Sequence, residues 1–115
     1  MFPFSLHQRV FRAQSNSPNG QVGSETRFHY EQDGTTISAS YAGGAIARGA
    51  LLGSIDENGC LLFSYHHLSI TGELHAGICR STPEVLSDGR LRFHERWRWT
   101  TGDCSEGESV IEEIR

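Results

Sequence analysis

Residues 90–99, Arg90-Leu91-Arg92-Phe93-His94-Glu95-Arg96-Trp97-Arg98-Trp99, alternate between polar and apolar side chains with a period of two. In a β-strand this period places Leu91 and the three aromatic rings on one face and the arginines on the other. Glu95 breaks the pattern, because it falls on the apolar face between Phe93 and Trp97. An inward carboxylate is costly unless a cation, a hydrogen-bond donor, a ligand or water meets it. The stretch therefore predicts a β-protein with an interior polar site at Glu95.

Length and composition indicate one globular domain. The chain has 115 residues, of which 37% are hydrophobic and 21% charged, and a second core would leave each half only marginally stable. We expect a single domain over residues 1–115. Within it, residues 1–7, with Phe2 and Phe4, are expected to form a flexible or dimer-contacting N-terminal segment.

The charge balance argues against a nucleic-acid partner. Ten basic residues, all arginine, stand against 14 acidic ones, for a net charge of −4, which disfavours a general phosphate-binding surface. The basic row in residues 92–98 is a local exception, and cross-strand pairing with Glu108 and Glu112 is its simplest interpretation. Because lysine is absent, mechanisms that need a lysine Schiff base or a lysine general base are excluded.

Cysteine usage and the first residues predict a cytoplasmic location. The three cysteines, Cys60, Cys79 and Cys104, are an odd number without CxxC spacing. The opening residues lack the cationic start and apolar stretch of a secretory signal. No apolar run approaches the roughly 20 residues that cross a bilayer. We expect reduced thiols and no membrane insertion.

Turn dipeptides divide the chain into about eight strand-like segments, and none of the segments has a helical period. An open sheet of this size would leave two edges and an uncovered apolar face, since no helix can cover it. We therefore predict an all-β fold, a single-domain antiparallel up-and-down β-barrel, with a flattened sandwich as the alternative. The expected strands are 8–15, 24–32, 35–42, 45–53, 60–69, 72–81, 90–99 and 107–114, separated by turns at Asn19-Gly20, Asp33-Gly34, Gly43-Gly44, Asn58-Gly59, Thr71-Gly72, Asp88-Gly89 and Gly102-Asp103.

The longest expected connection is residues 81–89, which contain Pro83 and a small apolar pair. Either this segment folds over one mouth of the barrel as a lid, or it is a simple connecting loop. A barrel of eight strands encloses room for side chains or for one small ligand.

Two arginines are candidate partners for Glu95. Arg48 shares its predicted strand face with Ile46, Ala50 and Leu52, and Arg80 shares its face with Ala76 and Ile78. A guanidinium that meets Glu95 would form a structural ion pair. One that stays partly free could instead bind a ligand carboxylate in a bidentate manner.

Aromatic residues supply the remaining candidates. Tyr41 and Tyr65 offer hydroxyl groups, whereas Trp97 and Trp99 offer stacking surfaces and N–H donors. Together with Glu95 they describe an amphipathic cavity, although buried aromatic rings also fill cores that bind nothing. A raised carboxyl pKa would suit general acid or base catalysis by Glu95 with Tyr65.

Histidine spacing gives only a weak metal signal. His66 and His67 are adjacent and so face opposite sides of a strand, and His75 precedes Cys79 by four residues. No metal site and no cofactor are predicted. The chain has no P-loop and no GxSxG or GxGxxG motif.

Three segments resemble a family of small bacterial proteins: residues 41–49 (YAGGAIARG), residues 72–79 (GELHAGIC) and residues 88–113. The resemblance covers most of residues 20–114 and implies a calycin-type, avidin-like or lipocalin-like, β-barrel. Members of this family often carry an N-acetylglutamate synthase label. The residues show no acetyl-coenzyme A site, because the nearest glycine-rich match, residues 48–53, is strand-like and lacks the central glycine.

Three functions compete at this point. The first is binding of one small, partly apolar ligand whose polar end meets Glu95 and Arg48 or Arg80. The second is a small-barrel enzyme, such as a cyclase or isomerase, that uses Glu95 and Tyr65 as acid and base. The third is a structural or interaction protein with a filled core, in which exposed strands or the N-terminal segment form a homodimer.

Overall fold

The computed structural model describes residues 4–114. Each strand pairs antiparallel with the next along the chain, and the last strand returns to the first to close the barrel. The predicted up-and-down β-barrel is confirmed, and the sandwich alternative is wrong. The strands are β1 (Val10–Asn16), β2 (Arg27–Asp33), β3 (Thr36–Gly43), β4 (Ile46–Ile55), β5 (Leu61–Ser69), β6 (Leu74–Val85), β7 (Leu91–Trp99) and β8 (Glu106–Glu113).

The alternation on β7 is confirmed. Leu91, Phe93, Glu95, Trp97 and Trp99 are all buried, and the side chains between them face outward. The same inward alternation is found on β2 and β3, where it follows Thr26, Phe28 and Tyr30 and then Ile37, Ala39 and Tyr41.

The connection expected at residues 81–89 is mostly strand. β6 extends to Val85, and only a short turn, closed by the Leu86 N–H donating to the Arg90 carbonyl over 2.8 Å, precedes β7. Pro83 is tolerated because β5 pairs with β6 only as far as Ser81, so Pro83 has a ladder partner on one side alone. The longest connection within residues 4–114 is instead residues 17–26, between β1 and β2.

One end of the barrel is filled by the hydrophobic core. The Phe11 ring lies 5.2 Å from Tyr30 and 5.6 Å from Phe93, centroid to centroid. Leu6 is fully buried, and Phe4 packs edge-on against Phe93 at 6.1 Å. Residues 4–6 thus cover this end, whereas Phe2 lies outside the described residues.

Three large inward rings lie over glycines on the neighbouring strand. Tyr41 pairs with Gly49, Tyr65 with Gly77, and Trp97 with Gly107. A Cβ atom on any of these glycines would collide with the ring of its partner. The glycines therefore provide room on the barrel wall for side chains that would otherwise occupy the lumen.

The outer basic row is paired across strands as predicted. Arg92 meets Glu112 at 3.0 Å, and Arg96 lies 3.4 Å from Glu108. In the described part of the chain, no helix is long and apolar enough to span a membrane.

Candidate functional site

A cavity of about 50 Å³ lies within the hydrophobic core of the barrel, away from the end that residues 4–6 cover. It contains five of the predicted site residues: Tyr41, Tyr65, Glu95, Trp97 and Trp99. Sequence reasoning missed ten others that line it: Asn16, Gly20, Gln21, Val22, Phe28, Leu51, Phe63, His67, Cys79 and Ser109.

The predicted interior positions of Arg48 and Arg80 are wrong, because both side chains are exposed. On β4 an extra residue is inserted between Ile46 and Arg48 relative to both neighbouring strands. This β-bulge reverses the alternation and turns Arg48 outward. On β6 the exposed face is the one that carries Ile78 and Arg80, and the inward residues are small: Gly77, Cys79 and Ser81.

Two serines hold the Glu95 carboxylate, and no arginine of residues 4–114 reaches it. The Ser109 hydroxyl donates to Oε1 over 2.9 Å, and the Ser81 hydroxyl donates to Oε2 over 3.1 Å. The Cys79 sulfur lies 3.7 Å from the Ser81 hydroxyl oxygen. Only 8% of Glu95 is exposed. The carboxylate is therefore hydrogen-bonded but has no compensating charge.

These polar side chains form a belt across four adjacent strands. In register around the wall lie Asn16 on β1, Ser109 on β8, Glu95 on β7 and Ser81 on β6. Asn16 faces inward because a second bulge, between Ala13 and Ser15, shifts the register of β1 against β8. We refer to Asn16, Ser109, Glu95 and Ser81 as the polar belt.

Burial sets the ionisation of the groups around the cavity. It raises the pKa of Glu95 to about 7, although hydrogen bonds from Ser109, Ser81 and Cys79 act in the opposite direction. Burial also raises the pKa values of Tyr41, Tyr65 and Cys79. It lowers the pKa of His67 to about 4, with His75 and His66 adding to the effect. Near neutral pH, Glu95 is thus the group whose charge changes.

Residues 17–26, which we call the mouth segment, cover the cavity. His67 Nε2 lies 2.7 Å from Gln21 Oε1, so this nitrogen carries the proton and donates, while Nδ1 accepts from the Tyr41 hydroxyl over 2.9 Å. The Gln21 amide nitrogen then donates to His75 Nε2 over 3.1 Å. The Trp99 indole N–H donates to the Asn19 carbonyl over 3.0 Å. A lid is one of the two alternatives expected for residues 81–89, and the structure instead places the mouth segment over the cavity.

The missed polar residues gave little sequence signal. Asn16, Gln21 and Ser109 are polar residues of the kind that a sequence places in solvent. For His67, the one signal was its position two residues after Tyr65, which places both side chains on the same face of the strand. In the described residues, no group of three or more His, Cys, Asp or Glu side chains could hold a metal ion.

A closed up-and-down barrel with an interior cavity defines a structural class that known proteins share. The avidin-like protein family model matches residues 4–114, and the chain belongs to this family. Apo shwanavidin, in its P1 crystal form, is similar in fold, with a TM-score of 0.59 at 11% sequence identity; the alignment covers 99% of this chain and 100% of that chain. Among curated proteins, no sequence matches.

Proposed function

We propose that this protein binds one small, partly apolar molecule in the barrel, with the polar end of the ligand against the polar belt. The observation that carries the proposal is a covered cavity in which an uncompensated carboxylate shares the lining with aromatic rings. An amphipathic lumen, which we propose here, would provide packing surface together with a few orienting polar groups, as ligand sites usually do. Membership of the avidin-like family supports it, since that family binds small ligands such as biotin.

The size of the cavity limits what can enter without movement. Its volume is about 50 Å³, far below the roughly 300–1,000 Å³ of typical ligand pockets. Gly20, Gln21 and Val22 of the mouth segment form part of the lining. A ligand larger than a head group therefore binds by displacing the mouth segment and placing its apolar part where Val22 now lies.

Intrinsic fluorescence can test the proposal directly, because both tryptophans of the chain line the cavity. A ligand that enters is expected to change the emission of Trp97 and Trp99. Cys79→Met puts a longer side chain into the cavity and should weaken that response at least tenfold. Ile78→Met is the matched control, since position 78 is 43% exposed on the outer face of the same strand. A compound collection that alters neither emission nor thermal stability would instead support the filled-core interpretation.

A second candidate is acid–base catalysis on the bound molecule. The pKa of Glu95, raised to about 7 by burial, matches the value that suits a general acid or base near neutral pH. The Tyr65 hydroxyl has no hydrogen-bond partner in residues 4–114 and its raised pKa keeps it neutral, so it is available as a donor. NMR can follow the conversion of a bound ligand. Conversion by the native protein but not by the Glu95→Gln variant would establish this role.

We also propose a cytoplasmic homodimer. Its interface is the outer face of β4, β5 and β6, where apolar side chains are exposed on adjacent strands: Leu52, Leu62, Leu68, Leu74 and Ile78. A patch of this kind favours burial against a second copy. Cys60, Cys79 and Cys104 are all free thiols, in keeping with a reducing compartment. Sedimentation equilibrium should give twice the monomer mass, and Leu52→Glu should give the monomer; a monomeric native protein would disprove the dimer.

A further inference from the structure

The polar belt has more hydrogen-bond acceptors than donors. An ionised carboxylate offers about four lone-pair positions, and within residues 4–114 its donors are the two serine hydroxyls and the weak thiol donor of Cys79. Asn16 Oδ1 is buried and has no hydrogen-bond partner among residues 4–114, because the amide is oriented by its nitrogen, which donates to the Val22 carbonyl over 3.0 Å. Both side chains line the cavity. A bound molecule that satisfies them must bring N–H or O–H donors.

No positive charge from the described chain reaches this site. None of the arginines in residues 4–114 lines the cavity, and Arg48 and Arg80 face outward. The titratable groups whose pKa values the Glu95 charge raises come from β2, β3, β5 and β6. Burial raises the pKa of each further, so all are neutral near pH 7: Tyr30, Tyr41, Tyr65 and Cys79. His67, at the mouth, is also neutral there, since its pKa is lowered to about 4. From β1, β4 and β8 the lining is uncharged: Asn16, Leu51 and Ser109.

We propose that the polar end of the ligand is a small planar cation, an amidinium or guanidinium group, that pairs with Glu95 and donates to Asn16 Oδ1. This inference rests on the proposed binding function and names the ligand class for the same cavity. A planar cation presents parallel N–H donors that match a carboxylate. The surrounding rings of Trp97 and Trp99 add cation–π attraction in a site sheltered from water.

The volume agrees with a head group of this size. A cavity of about 50 Å³ has room for about four water-sized positions, at roughly 10–15 Å³ each. An amidinium head fills that space without movement of the mouth segment. A longer substituent on the cation requires the displacement described above.

Acetamidinium chloride is the probe, with acetamide and acetate as neutral and anionic molecules of the same shape. Calorimetry and tryptophan emission at pH 8 should show acetamidinium binding at least tenfold more tightly than acetamide, and no binding of acetate. Because protons and the cation compete for Glu95, whose pKa is about 7, the acetamidinium affinity should fall about tenfold between pH 8 and pH 6. Binding should release protons to the buffer.

Two variants separate the charge of Glu95 from its shape. Glu95→Gln should weaken acetamidinium at least tenfold and leave acetamide unchanged or tighter. Glu108→Gln, whose carboxylate is exposed and lies beside Arg96, is the matched control and should change neither. Ser109→Ala removes one donor to the carboxylate and should move the midpoint of the pH dependence upward.

The results of these binding measurements distinguish the inference from the proposed binding function on which it rests. Preference for the cation that disappears in Glu95→Gln supports the inference. Acetamide binding as tightly as acetamidinium, or a cation affinity independent of pH in both the native protein and Ser109→Ala, overturns the inference but leaves the proposed binding function intact. Absence of binding by all three probes and by every compound of the fluorescence screen overturns both.

Discussion

Glu95→Gln is expected to stabilise the folded protein, and the gain should grow with pH. The side chain is buried, Ser81, Ser109 and the Cys79 thiol are its hydrogen-bond donors, and no cation of residues 4–114 offsets its charge. Gln has nearly the same shape and stays neutral. Its amide can bond to both serines, because a hydroxyl both donates and accepts. The substitution therefore removes a buried charge without creating a cavity.

The magnitude follows from the pKa. Burial raises the pKa of Glu95 from 4.5 to about 7, so between these values the folded protein holds a proton that the unfolded chain has released. The free energy of unfolding of the native protein therefore falls as pH rises through this window. At about 1.4 kcal/mol per pH unit, the loss amounts to roughly 3 kcal/mol by pH 8. Glu95→Gln lacks this dependence, so it should be about 3 kcal/mol more stable than the native protein at pH 8 and nearly equal to it at pH 4.

Urea unfolding at several pH values from 4 to 8, followed by circular dichroism and tryptophan emission, measures this difference. Comparing two variants at each pH removes the contributions of all other titrating groups. Glu108→Gln serves as the control, because that carboxylate is exposed and should give no such trend. A stability difference between Glu95→Gln and the native protein that is constant over this range would refute the reasoning. It would mean that the carboxylate is hydrated or otherwise compensated in the folded state.

Two further substitutions test the wall and the mouth of the cavity. Gly77→Ala puts a Cβ against the Tyr65 hydroxyl and the Arg98 carbonyl, so it should cost about 1–3 kcal/mol in urea unfolding and weaken ligand binding. Gly23→Ala, whose Cβ meets no atom within 4 Å, should leave the stability unchanged, and equal stability of the two variants would contradict the packing argument. Gln21→Ala removes the hydrogen bonds from the mouth segment to His67 and His75, so it should speed both amide hydrogen exchange in residues 17–26 and ligand association. The control, Gln14→Ala at an exposed position, should leave both rates unchanged. Unaltered exchange in Gln21→Ala would show that other contacts hold the segment.

The strand count, the barrel and the inward position of Glu95 follow from the sequence because the physical signals are local. Turn dipeptides punctuate the chain, and the period of two on β2, β3 and β7 is unbroken. The position of Glu95 could be predicted because its parity is fixed by the four apolar neighbours on its own strand. Its partners could not, because they lie on β6 and β8, and cross-strand register is a property of the closed barrel.

Two β-bulges explain the largest errors in the side-chain orientations predicted from the sequence. An apolar alternation that starts correctly at Ile46 leads to Arg48 as an interior residue, but one inserted residue on β4 reverses every later position. The same effect on β1 brings Asn16 inside, where alternation from Phe11 and Ala13 would place it outside. A bulge adds a single residue and has no distinctive composition here, so hydrophobic periodicity alone does not reveal it.

The cavity exists because small residues occupy inward positions of the barrel. Hydrophobic periodicity gives almost no indication of such residues. At the closed end, the inward positions carry side chains that fill the lumen, such as Phe11, Phe93 and Ile111. Toward the mouth, the inward positions include Gly49, Gly77 and Gly107, each beneath an aromatic ring of the preceding strand. The polar belt lies between these two regions, so Glu95 lies at the boundary between the filled end of the lumen and the cavity. A carboxylate at that boundary can contact a ligand on the cavity side while serines of the barrel wall donate hydrogen bonds to it. This arrangement makes an otherwise costly buried charge compatible with a binding function.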